Sequence, residues 1–171
     1  KFIDNSSFSS QFFNNLYVKD RSKFYIYYNV YIKQISYLLN LLGININTVP
    51  VLDVRRKITN QVIGSRSFSS NPSIVHKLGE ICIDKFHENH IGTVIKHIPG
   101  HGLSKVDSHK HLPIVDRDVD SLNKIDFFPF KKQSSFLAMT AHIVFKSLDP
   151  NNSVTHSKKI IKIIRQKIGY K

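Results

Sequence analysis

The sequence predicts an α/β fold in which helices connect parallel strands. Segments with apolar residues at helical spacing alternate along the chain with short apolar runs rich in valine and isoleucine. Capping and turn residues separate these segments, and such alternation is typical of parallel βαβ units. The 171 residues fit one domain.

The first elements are a helix and a buried strand. Residues 1–18 are polar and aromatic and predict an irregular lead-in. Apolar residues then recur at helical spacing over 19–42, and Gly43 predicts the helix end. The run that follows, ININTVPVLDV over 44–54, is apolar enough for a strand buried on both faces.

The middle of the chain predicts a loop, a helix and a second strand. Residues 55–69 are polar, and Ser70-Asn71-Pro72 supplies a capping side chain followed by proline at the first helical position. We expect that helix to end near Asn89. The strand GTVIKHI over 92–98 comes next.

The last third predicts another helix, strand and helix, over 119–133, 135–145 and 156–168. Polar residues gather where predicted strands end, and the carboxyl ends of parallel strands are where α/β folds place their sites. The residues at these ends are Asp53, Lys96, His97 and His142.

The formal net charge is +13, which a nucleic-acid partner would explain. The basic residues are spread along the chain, however, and the dense run at 158–167 is typical of the solvated face of a helix. The single cysteine, Cys82, excludes an internal disulfide and is expected to be a buried thiol. No secretory leader or membrane-spanning run is visible, which favours a soluble protein in a reducing compartment.

The stretch KHIPGHGLSKVDSH over 96–109 concentrates titratable side chains on a glycine-rich loop. Gly100 and Gly102 permit backbone turns that hold side chains over a pocket, although an ordinary surface turn has the same spacing. Asp107 and His109 are two residues apart, so in an extended segment the carboxylate would orient the imidazole for general acid–base catalysis. An exposed ion pair is the alternative.

Three further residues are candidates for hydrogen bonding to a substrate. Lys96 and His97 end a strand, and Arg66 in the preceding loop carries a forked set of donors. A buried lysine needs a partner, for which Asp53 is the candidate. The alternatives are structural ion pairing for Lys96 and simple solvation for Arg66.

The histidines also allow a metal-dependent hydrolase as a second reading. His109 and His111 form an HxH pair to which other histidines would add ligands, but no carboxylate-rich second cluster accompanies them. The further candidate ligands are His97, His101 and His142.

Taken together, these motifs resemble bacterial β-N-acetylhexosaminidases of glycoside hydrolase family 3. The signature is TVIKHIPGHG followed four residues later by DSH. The segments PVLDV, VIGSRSFSSNP, DFFPF, MTAHI and IIRQKIGY occur in the family's order, so the resemblance runs from about residue 35 to the end.

The resemblance implies a (β/α)8 TIM-type barrel and hydrolysis, with retention, of terminal non-reducing β-linked N-acetylglucosamine. By motif match, His109 is the acid and base and Asp107 its dyad partner, while Arg66, Lys96 and His97 bind the sugar hydroxyls. The implied substrate is a muropeptide or a chitobiose-like sugar, in the bacterial cytoplasm. No metal, cofactor, membrane or nucleic-acid partner is implied.

Two parts of the family pattern have no match in the 171 residues. The nucleophilic aspartate of the family follows the segment that matches Gly169-Tyr170, and its early acidic motif precedes the segment matched by residue 1. A barrel of this type takes about 250 residues. We therefore expect residues 1–171 to be one domain from the centre of the barrel, truncated at both ends and inactive alone.

Overall fold

In a computed structural model, the structure describes residues 8–108 and 110–170. The predicted acid–base residue His109 lies outside these ranges. The observed order of helices and parallel strands confirms the predicted α/β class.

Two helices open the described chain. Helix α1 spans Ser10–Lys19 and helix α2 spans Arg21–Leu41. The prediction of an irregular lead-in over 1–18 is therefore wrong from Ser10 onward, because Ser9 caps α1 by accepting a hydrogen bond from the Phe12 N–H. Residues 1–7 of that prediction lie outside the described ranges. Asp20 then caps α2, and Gly43 follows its end with φ +73°, as predicted.

The strands form two parallel sheets. The larger sheet has the order β1-β2-β4, and the smaller one pairs β3 with β5. All pairings are parallel, which confirms the prediction made from alternation. The strands are β1 (Ile46–Asn47), β2 (Gly92–Ile98), β3 (Ile114–Val115), β4 (Leu137–Thr140) and β5 (Val144–Phe145).

The strand predicted over 44–54 is regular only at its beginning. Pro50 has no N–H to donate, so the ladder is interrupted there. It resumes as a single bridge from Val51 to Lys96, and the Leu52 N–H donates to the Lys96 carbonyl at 2.7 Å. The chain from 51 to 54 is buried and runs alongside the end of β2, which fixes the position of Asp53.

Helix α3 spans Pro72–Glu88 and confirms the predicted proline start, with Asn71 as its cap. It contributes seven buried residues to the core between the helices and the sheet. One of them is Cys82, and burial raises the pKa of its thiol to about 12. The prediction of a buried thiol is confirmed.

The helix predicted over 119–133 is broken into three short pieces. Helix α4 covers Val119–Ser121, a π turn covers Leu122–Asp126, and a 3-10 turn covers Phe128–Phe130. Pro129 prevents a continuous helix, and the turns let Phe127 and Phe130 reach the core.

The last helix, α5, spans Lys158–Ile163 and continues as a π turn over Ile164–Ile168. Gly169 ends this element with φ +84°, as a left-handed cap. Among the helices of the described chain, none is long and apolar enough to cross a bilayer.

Candidate active site

A single buried carboxylate organises the ends of the strands. Asp53 is fully buried, and its Oδ2 lies 2.7 Å from Nδ1 of His97. Its Oδ1 accepts hydrogen bonds from the backbone N–H of His101 at 2.7 Å and of His97 at 3.3 Å. One side chain thus fixes both His97 and the backbone of the PGHG loop at His101.

Charge explains why this carboxylate tolerates burial. Burial alone would raise the pKa of Asp53, but the hydrogen bond from His97 and the charges of His97 and His101 outweigh it and leave the pKa below its ordinary value. Asp53 is therefore an acceptor, which makes Nδ1 the protonated nitrogen of His97. Nε2 remains for a ligand, on a ring that is 19% exposed.

The prediction that Asp53 is the partner of Lys96 is wrong. Lys96 donates to the Thr48 hydroxyl at 3.2 Å, whereas the side chain of Asp53 is taken up by His97 and His101. Burial lowers the pKa of Lys96, the charge of Arg66 lowers it further, and Asp53 opposes both effects. The ammonium is thus held near a second cation.

Arg66 and Lys96 line one cavity of about 300 Å³. Arg66 is exposed, and its guanidinium donates to the Val62 carbonyl at 2.9 Å. Thr48 adds a hydroxyl, and aromatic residues from α1 and α2 complete the wall. Within the described chain, His97 and Asp107 are not among the residues that line this cavity.

The backbone around Asp107 is turned and not extended. The carbonyl of Asp107 accepts hydrogen bonds from the N–H groups of Lys110 and His111, both at 3.0 Å. The extended geometry assumed for the Asp107–His109 pair is therefore not found, and their dyad remains a prediction. The Asp107 carboxylate acts electrostatically on the ring of His101.

The sequence did not single out the role of His101. Its ring is 2% exposed, and neither ring nitrogen has a hydrogen-bond partner among the described residues. Burial lowers the pKa of His101, and the charge of Asp53 opposes this effect.

A buried ion pair behind the loop was also missed. Asp126 is 1% exposed, and Nη2 of Arg56 lies 2.8 Å from its Oδ2. Burial raises the pKa of Asp126 to about 6, although the charge of Arg56 opposes this. The two residues are 70 positions apart, so only the basic run at 55–57 and the acidic residue of DFFPF hinted at a contact.

The candidate metal ligands are scattered in the structure. Among the described residues, no group of three or more His, Cys, Asp or Glu side chains is placed to hold a metal ion. His97 and His101 have ring centroids 5.5 Å apart, and His142 lies instead near His156 at 6.2 Å.

The fold and site define a parallel α/β domain with a polar cavity at the carboxyl ends of its strands. Residues 29–171 match the N-terminal domain of the glycosyl hydrolase family 3 proteins. The chain belongs to this family, which confirms the resemblance inferred from its motifs and disfavours the metal-dependent hydrolase.

Two curated relatives are β-hexosaminidases. The chain is 44% identical over 124 residues to β-hexosaminidase A of Pseudoalteromonas piscicida, an alignment that covers 70% of this chain and 21% of the relative. It is 36% identical over 131 residues to β-hexosaminidase of Shewanella frigidimarina, covering 74% and 38%. The chain therefore spans well under half of either relative.

Solved structures confirm the predicted TIM-type barrel fold, of which this chain forms part. NagZ from Neisseria gonorrhoeae, in complex with N-trifluoroacetyl-D-glucosamine, superposes with a TM-score of 0.86 at 28% identity, over 95% of this chain and 49% of that one. A family 3 β-N-acetylglucosaminidase from Paenibacillus superposes with a TM-score of 0.77 at 33% identity, over 81% and 27%.

Proposed function

We propose that the protein acts on terminal non-reducing β-linked N-acetylglucosamine as part of a retaining glycosidase. The observation that carries the proposal is the cavity that Lys96 and Arg66 share. The residue after Lys96 in the sequence, His97, is held by Asp53. The relatives are β-hexosaminidases, and one solved neighbour holds an N-acylglucosamine analogue.

The chemistry of the cavity suits a neutral polyol. Lys96 and Arg66 present hydrogen-bond donors, while sugar hydroxyl and acetamide oxygens are acceptors. Both cations bond to neutral partners, Thr48 and the Val62 carbonyl, which a sugar oxygen can replace. His97 would add its Nε2, since Nδ1 is engaged by Asp53.

The chemical steps are assigned by family resemblance. His109 would protonate the leaving oxygen and later deprotonate water, and Asp107 would support the charged imidazole. Such proton transfer contributes roughly 10²–10⁴ in rate. No residue of the 171 matches the nucleophilic aspartate of the family, so we propose that this chain binds the sugar without forming a glycosyl-enzyme.

The finer assignments belong to the same proposal. We place residues 1–171 as one domain in the centre of a family 3 barrel. A muropeptide or chitobiose-like sugar is the expected substrate, in the bacterial cytoplasm, and no nucleic-acid partner is expected.

Titration of the protein with N-acetylglucosamine, followed by NMR, tests the proposal. We expect saturable shifts that weaken about tenfold in Lys96→Met, because one charge-assisted hydrogen bond is lost. Lys146→Met, which changes an exposed lysine that pairs with Asp116 at 3.7 Å, should bind like the parent. Absence of saturable binding by the parent would contradict the proposal.

A chromogenic N-acetylglucosaminide tests the expected inactivity. We expect no turnover by the 171 residues. Hydrolysis that is measurable and disappears in His109→Ala would overturn the expectation of inactivity while supporting the acid–base role of His109.

A further inference from the structure

We propose that Thr59 and Asn60 are positioning residues for Asp107. They belong to a loop segment at residues 56–60, here called the bracket. The bracket holds the backbone that leads into Asp107 and thereby sets where the carboxylate stands. The catalytic meaning of this proposal rests on the proposed function, but the holding itself does not.

Three hydrogen bonds join the bracket to consecutive stretches of the loop. The Thr59 hydroxyl donates to the Gly102 carbonyl at 2.5 Å. The Asn60 backbone N–H donates to the Ser104 carbonyl at 2.9 Å, and its side-chain amide donates to the Lys105 carbonyl at 3.2 Å. The last contact lies two residues before Asp107.

The bracket is itself anchored in the buried interior. The Arg56 N–H donates to the Thr59 hydroxyl at 2.6 Å, so Thr59 is tied at both its donor and its acceptor sites. The guanidinium of Arg56 pairs with Asp126 at 2.8 Å. Arg56 and Thr59 thus connect the buried carboxylate of Asp126 to the backbone at Gly102 through consecutive hydrogen bonds.

Packing against Val54 also holds the loop backbone at Gly102. A β-carbon on Gly102 would lie 2.0 Å from the carbonyl oxygen of Val54, so the backbone there rests directly on the chain that carries Asp53. The Ser104 N–H donates to the His101 carbonyl at 3.0 Å, and its hydroxyl donates to the Val106 carbonyl at 2.5 Å. The path is therefore fixed up to the residue before Asp107.

The loop backbone is therefore held by hydrogen bonds up to Val106, immediately before Asp107. General acid–base groups must stand within hydrogen-bond reach of the atoms they serve, and a displacement of about 1 Å can cost about 10²-fold in rate. The contact of the bracket with Lys105 therefore positions Asp107, whereas Lys96 bonds to Thr48 in another segment. Arg66 donates to the Val62 carbonyl, and it is unaffected as long as the Asn60 side chain still accepts from the Val62 N–H.

Asn60→Asp tests the bracket because it changes one contact of the side chain and keeps the other. The side-chain Oδ1 of Asn60 accepts from the Val62 N–H at 2.9 Å, and a carboxylate preserves that bond. The amide donor to Lys105 is replaced by an oxygen that repels the carbonyl. Thr59→Val removes the hydroxyl at nearly constant volume, and Thr59→Ser restores it.

Amide hydrogen exchange is the readout, at Val106, Lys110 and His111, together with the carboxyl ¹³C shift of Asp107. We expect exchange to be at least about tenfold faster in Asn60→Asp and Thr59→Val, with a changed Asp107 shift. Asn60→Asp loses its hydrogen bond to the Lys105 carbonyl, and Thr59→Val loses both the bond to the Gly102 carbonyl and the bond from the Arg56 N–H. Exchange in Gly92–Ile98 should be unchanged, and Thr59→Ser should match the parent.

Two outcomes overturn the proposal. One is parental exchange at 106–111 in both disruptive variants. The other is uniform acceleration that includes Gly92–Ile98 or persists in Thr59→Ser, which would indicate general destabilisation. The N-acetylglucosamine affinity of Asn60→Asp should stay within about twofold of the parent. If the parent itself does not bind the sugar, the proposed function fails while the exchange result still decides the bracket.

Discussion

The two sides of the candidate site differ in how their side chains are held. On one side, the buried Asp53 fixes the ring of His97 and the backbone of both His97 and His101 through three hydrogen bonds. On the other side, the exposed Arg66 and half-buried Lys96 each bond to one neutral group. Under the proposed function, the first side positions its groups, and the side chains of the second side exchange their neutral partners for a ligand. Substitutions on the first should therefore cost stability, and those on the second should cost affinity.

The largest effect is expected from Asp53→Asn. The amide would point a donor at either His97 or the His101 N–H, leaving a buried group unsatisfied at a cost of about 3–5 kcal/mol in the free energy of unfolding. Urea denaturation measures this. Asp116→Asn makes the same change at a carboxylate that is 78% exposed and should stay within about 0.5 kcal/mol. Equal effects at both positions would remove the distinction between the two sides.

Asp126→Asn tests how the buried Asp126 makes the free energy of unfolding depend on pH. The raised pKa, about 6 against an ordinary 3.8, means that the folded chain binds this proton more tightly than the unfolded chain. The resulting stability is present below about pH 4 and lost as the pH rises through 6. Because asparagine does not titrate, the free energy of unfolding of the variant should gain on the parent by up to about 3 kcal/mol between pH 4 and 7. A difference that is constant with pH in urea denaturation would contradict this.

Gly102→Ala tests the close approach of the loop to Val54. The new methyl group meets a backbone carbonyl and not a movable side chain, so we expect a loss of about 2 kcal/mol in the free energy of unfolding. Gly43→Ala is the matched control: its φ is +73° but no atom lies within 4 Å of the added carbon. Backbone strain alone should cost about 1 kcal/mol there. Thermal unfolding of both variants compares crowding with strain.

Arg66→Ala tests whether the second side of the site contributes to affinity and not to stability. The affinity for N-acetylglucosamine should fall about tenfold, as expected for one charged donor, while the free energy of unfolding changes by less than about 0.5 kcal/mol. Arg165→Ala, at an exposed arginine after α5, should leave both quantities unchanged. Calorimetric titration and urea denaturation on the same samples give the two numbers. A variant that loses stability but keeps its affinity would reverse the assigned roles.

Much of the fold followed from local signals. The strand Gly92–Ile98 has its predicted bounds, and α3 begins at its predicted proline, because apolar runs and capping residues act over a few positions. Helix α1 was missed since its apolar face is made largely of aromatic residues between polar ones. The helix predicted over 119–133 broke because Pro129 and tertiary packing outweighed its periodicity.

The sequence proposed the candidate site residues but could not predict their partners. Motif order singled out Arg66, Lys96, His97 and Asp107, and the structure brings Arg66 and Lys96 to one cavity. It did not reveal that Asp53 serves His97 and not its neighbour Lys96, since the partners are 44 positions apart and spacing does not choose between adjacent residues. The contact between Arg56 and Asp126 was invisible for the same reason.

The burial of Asp53 has a consequence for how ligand binding and folding are linked. His97 and His101 take their orientation from Asp53, which lies 44 or more positions upstream. That orientation is lost in any state in which the segment 51–54 has separated from the end of β2. A sugar that needs this orientation would bind only the folded ensemble. At a concentration of 100 Kd, it would stabilise that ensemble by about 2.7 kcal/mol through mass action alone. The melting temperature would then rise with the sugar concentration, and this dependence would measure the affinity.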